Sequence, residues 1–166
     1  NHWSMLHYQY SEAPCSNLSR NAHKYQRGSS LLICGSKSYL GAGILAAKGA
    51  NLSGLGLIHI ANNAKHPTGY PDGVIHHSCN FFNLNKTLGE CGKKSNILAI
   101  GSGLGKTLWA KRALKWSVKK HHQFKTSIWD ADALNLFSID RPTLPKTFSQ
   151  AIFTPHHQEM ARLLKI

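Results

Sequence analysis

Acid is what this chain has least of. Seven Asp and Glu stand against twenty Lys and Arg, a formal charge of +13 at pH 7. Such a balance attracts anions such as nucleotides, nucleic acid or anionic membranes, or it simply makes a basic soluble surface. There is no RNA-binding signature and no aromatic–basic repeat of the kind single-strand binders use, so nucleic-acid binding would rest on charge alone. The densest basic stretch, Lys111-Arg112 to Lys119-Lys120, suits the exposed face of a helix. Cysteine is sparse too. The four, at positions 15, 34, 79 and 91, include no CxxC pair, which excludes a zinc ribbon and a thioredoxin-like motif. His76, His77, Cys79 and Cys91 match no common zinc spacing, so no metal site is assigned. The thiols imply a reduced, cytoplasmic protein, with Cys34 buried in a strand. No apolar run approaches the roughly 20 residues that a membrane span requires. No signal peptide is visible at the start.

What is present is enough for one domain with a core: 166 residues, 42% of them hydrophobic. Residues 1–19 are irregular, with Trp3, Tyr8, Tyr10 and Pro14 among polar residues, and read as a tail or interdomain linker. The chain starts at Asn1 rather than Met, so it is expected to be processed or to be a piece of a longer product. Leu31–Cys34 reads as a strand, 42–52 as an Ala- and Leu-rich helix and Leu55–Ile60 as a second strand, together one right-handed βαβ unit. Asn62-Asn63, Pro67, Gly69, Pro71 and Gly73 interrupt the pattern, and no element is assigned before Ile97. Strands then follow at 97–100, 126–129 and 151–153. They lead into helices over about 107–120, just after Asp132, and over about 157–165. The expected architecture is a mainly parallel, doubly wound α/β sheet flanked by helices.

Open α/β sheets bind ligands at the carboxyl ends of their strands. Here those ends carry Gly101-Ser102-Gly103-Leu104-Gly105, then Asp130-Ala131-Asp132, then Thr154-Pro155-His156. The glycine loop runs on into Lys106-Thr107, but the residue six places before Lys106 is Ile100, so it is one residue short of a P-loop. Its glycines would let an anion approach amides at a helix start, or would only make a tight turn. Asp130 can accept from a sugar hydroxyl or hold Mg²⁺, whereas Asp132 suits a helix N-cap equally well. Thr154-Pro155 suits the first turn of the last helix. His156, with Glu159 beyond it, can bond a ligand or simply begin that helix, and lacks the paired-histidine spacing of zinc peptidases.

In order along the chain, these strings resemble the ADP-dependent (S)-NAD(P)H-hydrate dehydratase family, bacterial type, with a ribokinase-like fold. The matching positions are Ala22-His23-Lys24, Gly35-Ser36 with Tyr39 and Gly41-Ala42, Ser53 to Leu57, Gly101 to Gly105, Trp129 to Asn135, and Thr154-Pro155-His156 with Glu159 and Arg162. The match runs from about Arg20 to Ile166. The resemblance implies repair of hydrated NADH or NADPH: ADP (or ATP), with Mg²⁺, phosphorylates the ring hydroxyl, and phosphate then leaves. It implies that Ala42, Gly103 and His156 contact the hydrated dinucleotide, with Asp130 and Glu159 in support. It also implies an oligomer and an epimerase domain fused upstream. Three motifs depart from the family: Tyr25 follows His23-Lys24, Ser102 replaces proline, and His157-Gln158 replace Pro-Gly. The family's Lys-Gly segment and Gly-x-Gly-Asp base are not matched by any string here, so the domain is expected to be truncated at its C-terminus, with no catalytic residue of its own. The other readings are a non-catalytic remnant or dinucleotide-binding module, and a P-loop-like NTPase.

Overall fold

The computed structural model describes residues 27–65, 67–140 and 150–166. The tail at 1–19, Ala22-His23-Lys24 and Tyr25 lie outside the described residues. Strands β1 (Ser29–Ile33), β2 (Leu57–Asn62), β3 (Val74–Ser78), β4 (Ile97–Ile100), β5 (Thr126–Trp129) and β6 (Ala151–Phe153) form one sheet in the order β3-β2-β1-β4-β5-β6. Every pairing in it is parallel. The strand order reverses between β1 and β4, the place where such sheets open a crevice. Helices α1 (Leu40–Leu52), α2 (Leu84–Gly92), α3 (Leu108–Lys120), α4 (Ala131–Asp140) and α5 (His157–Leu164) complete the described elements. Among the described residues no helix is long and apolar enough to cross a membrane.

Alternation along the strands sorts the core into two layers. Leu31, Ile33, Leu98, Ile100 and Trp129 point to one face and pack with residues of α2, α3 and α4; Leu163 of α5 joins them. Leu32, Cys34, Ile58 and Ile60 point to the other face and meet α1. There α1 is the only described helix. Beyond it, Ile97, Ala99 and Ile128 line an open apolar groove of about 460 Å³ with Ala46 and Ala50. Ile152, beside Ile128 in the register, is 50% exposed.

The stretch 62–95 is more ordered than its glycines and prolines imply. It holds β3, an edge strand, and α2, whose buried Leu84, Leu88 and Cys91 recur at helical spacing. The second strand is shifted from the expected 55–60 to Leu57–Asn62. This brings the fully buried Asn62 to its carboxyl end. There the Asn62 amide donates to the Cys34 carbonyl and the Tyr70 hydroxyl, both at 3.1 Å, and accepts from the Ala64 amide at 3.1 Å and His76 Nε2 at 3.0 Å. With its polar capacity filled from four directions, it pins the loop that a sequence pattern of breakers leaves blank.

Candidate functional site

Four strand ends meet at the reversal point. The Gly35 amide donates to the Ser102 carbonyl at 2.7 Å, tying the loop after β1 to the loop after β4. The Ser102 hydroxyl donates to Asp130 Oδ2 at 3.1 Å, and the Thr154 hydroxyl donates to Asp130 Oδ1 at 2.7 Å. Asp130 is thus the hub joining the ends of β4, β5 and β6. The bend there is tight. Gly101 passes so close to Asp130 that a Cβ would strike the Asp130 carbonyl oxygen, and Ala131 takes a left-handed φ of +46°. A non-glycine residue in that region stores strain, which persists only where surrounding contacts over-determine it.

Gly103 also has a left-handed φ, +64°, and faces Ala42 and Tyr39 so closely that any side chain would collide with the Ala42 methyl group. The structure therefore brings Ala42 and Gly103 into contact, with Asp130 joined to them through Ser102. His156 and Glu159 form a separate pair at the start of α5. His156 Nδ1 accepts from the Gln158 amide at 3.2 Å, and its Nε2 lies 3.2 Å from Glu159 Oε1. Glu159, only 5% exposed, also accepts from the His156 amide at 3.1 Å. One ring nitrogen of His156 caps α5 and the other faces the Glu159 carboxylate, and Thr154, two residues before His156, donates to Asp130. Pro155 precedes the His156 cap rather than occupying the helical first turn. Gln158 sits in regular helix, so no left-handed glycine is needed at that position.

Beside these loops lies a polar cavity of about 480 Å³, lined among others by Ser36, Lys37, Tyr39, Lys106, Thr107 and Asp132. Asp132 is not the N-cap. It lies in the first turn of α4 and accepts the Gly105 amide at 2.8 Å. That contact also argues against a P-loop, because a carboxylate already occupies an amide of the glycine loop. Thr107 caps α3 instead, accepting from the Ala110 amide at 3.3 Å. The roles of Asn62, Asp132 and Ser102 were hidden in the sequence. Each acts through a backbone group or a partner 28 or fewer residues away whose position only the fold supplies. Cys34 is fully buried beneath the site, its thiol pushed up to about 12 by burial, as its apolar strand implies.

The NAD(P)H-hydrate dehydratase family model matches residues 30–166. The chain belongs to that family. The ADP-dependent (S)-NAD(P)H-hydrate dehydratase of Staphylococcus aureus is 34% identical over 148 residues, covering 86% of this chain and 51% of that protein. A ribokinase-like superfamily protein of Enterococcus faecalis superposes with a TM-score of 0.77 at 26% identity, covering 89% of this chain and 51% of the other. An ADP/ATP-dependent NAD(P)H-hydrate dehydratase of Bacillus subtilis, co-crystallised with ATP/Mg²⁺, superposes at 0.66 and 26% identity, covering 90% and 52%. The family and the ribokinase-like fold thus stand as the motifs implied. This dehydratase-family chain spans about half the length of these relatives.

Proposed function

We propose that this chain forms the substrate side of an NAD(P)H-hydrate dehydratase site. The hydrated dinucleotide lies across the loops after β1 and β4. Gly103 and Ala42 pack together where the start of α1 meets the loop after β4, and the Asp130 hub with Ser102 and Thr154 fixes the loop geometry beside them. The contact between Ala42 and Gly103 carries this reading, because it holds the start of α1 against the loop after β4 at the reversal point of the sheet, where such folds bind their ligands. Lys37 and Lys106 border the polar cavity and supply charge complementary to phosphates. His156 acts through the start of α5, with Glu159 holding its ring.

The chain does not complete the reaction by itself. No string here corresponds to the family's Gly-x-Gly-Asp base, and the ADP- or ATP-binding groups belong to the same unmatched part of the domain. Mg²⁺ is held by one or two carboxylates together with substrate phosphates, and Asp130, which accepts one hydroxyl at each oxygen, is the carboxylate that would serve on this side of the site.

Calorimetric titration of the chain with hydrated NADPH tests the binding half of the reading. Binding that weakens at least about tenfold in Gly103→Ala is expected, a loss of about 1.4 kcal/mol. Equal binding by the variant would remove Gly103 from the site.

A further inference from the structure

His59, His77 and Cys91 stand outside the crevice, on the opposite face of the sheet from α1. The strand register sets His59 opposite Ile75 and Ala61 opposite His77, so the two histidines are diagonal neighbours on one face of β2 and β3. Cys91, on α2, packs onto that face with Ala61, Cys79, Leu84 and Leu88. His59 Nδ1 lies 2.9 Å from His77 Nε2. One nitrogen from each ring and the Cys91 sulfur all lie within 4.8 Å of one another. We infer that His59, His77 and Cys91 form a binding site for a thiophilic divalent cation of the Zn²⁺ class, clasping the edge strand β3 to β2 and α2.

A second observation points to a ligand. His59 is only 3% exposed, and its Nε2 has no hydrogen-bond partner. A buried, unpartnered ring nitrogen costs roughly 1–3 kcal/mol. Ligation through Nε2 would give that nitrogen the partner it lacks. The hydrogen bond between His59 Nδ1 and His77 Nε2 would give way to the metal where those two nitrogens are the ligands. On binding, the Cys91 thiol would lose its proton to solvent and ligate as the thiolate.

The donor set, two imidazoles and a thiolate, selects Zn²⁺ or Co²⁺ over Mg²⁺ and Ca²⁺, which demand oxygen. Tetrahedral zinc, with bonds of about 2.0–2.1 Å to nitrogen and about 2.3 Å to sulfur, places its ligand atoms roughly 3.3–3.8 Å apart. Closing the site therefore needs about 1 Å of movement on the longest separation. β3 pairs on one side only, so His77 can make that movement. Three protein ligands leave the fourth position to water. The site was invisible to spacing because its ligands come from three elements, and His76 points to the other face, stacked on Tyr70.

Titration of the full 166-residue chain with Co²⁺ tests this. One equivalent should give the visible bands of tetrahedral cobalt together with a thiolate-to-cobalt charge-transfer band, both bleached by one equivalent of Zn²⁺. Cys91→Ser should lose the charge-transfer band, and His77→Ala should bind at least about tenfold more weakly. Cys34→Ser, whose thiol lies on the other face, should titrate like the parent. Zn²⁺ should raise the Tm of the parent and of Cys34→Ser, and raise that of His77→Ala clearly less. His77 is half-buried at the sheet edge, so His77→Ala keeps the test decisive if Cys91→Ser does not fold. Absence of the charge-transfer band in the parent, or a band of equal strength in Cys91→Ser, overturns the site.

Discussion

Gly103 and Gly105 share a left-handed backbone but not a neighbourhood. Their φ angles are +64° and +76°, yet only Gly103 has Ala42 and Tyr39 within reach of an added methyl group. Alanine at Gly105 meets nothing within 4 Å and should cost about 1 kcal/mol, the backbone term alone. Alanine at Gly103 adds a collision and should cost roughly 2–4 kcal/mol. Urea unfolding of the two variants separates strain from contact. The buried histidines give a pH dependence of known sign. His59 is held below the usual imidazole range by burial, then by the His77 ring and Lys94; His77 is held down by burial and Lys94, with Glu90 opposing. The unfolded chain therefore takes up protons that the folded chain refuses as pH falls through about 6.5. Stability is present at neutral pH and lost on acidification. The urea midpoint should fall between neutral pH and about pH 5, and the fall should be shallower in His59→Gln.

Helix α5 shows how one residue can serve an element and a site at once. His156 caps it through its ring, and Glu159 closes the box. His156→Ala should cost about 1 kcal/mol by thermal unfolding, and His156→Asn, a good cap, should restore most of it. If the ring also meets the dinucleotide, Asn should recover stability without recovering binding. The strand-and-helix frame around this site was legible because its strands are short and largely apolar, and because β4 and β5 run straight into glycine and aspartate. β1, β4, β5, α1 and α3 lie within a few residues of where the pattern places them. β3 was not legible. It is an edge strand with no fully buried position, and His76, His77 and Ser78 blur its alternation. α2 was masked by its glycines, although Leu84, Leu88 and Cys91 carried its stripe. At the site, the glycine loop and Asp130 could be read from position alone. The hydrogen bonds that make Asp130 a hub, and the engagement of the His156 ring with its own helix, depend on approach distances that spacing does not encode.

Taken whole, the chain is a sheet with unequal covering. Four helices pack on one face and α1 alone covers the other, leaving the apolar groove beside Ile97, Ala99 and Ile128 open among the described residues. In the proposed reading, the rest of the family domain lies over that face and brings the phosphoryl donor and the base to a substrate crevice already shaped by β1, β4 and Asp130. Recovery of NADH from its hydrate, followed by nicotinamide absorbance with ADP or ATP and Mg²⁺, tests that division directly. It should be measured for the chain alone and for the chain joined to the part of the Staphylococcus aureus dehydratase that the match does not cover. No recovery by the chain and measurable recovery by the fusion is the expected result. Recovery of NADH by the chain alone would contradict the division of the site.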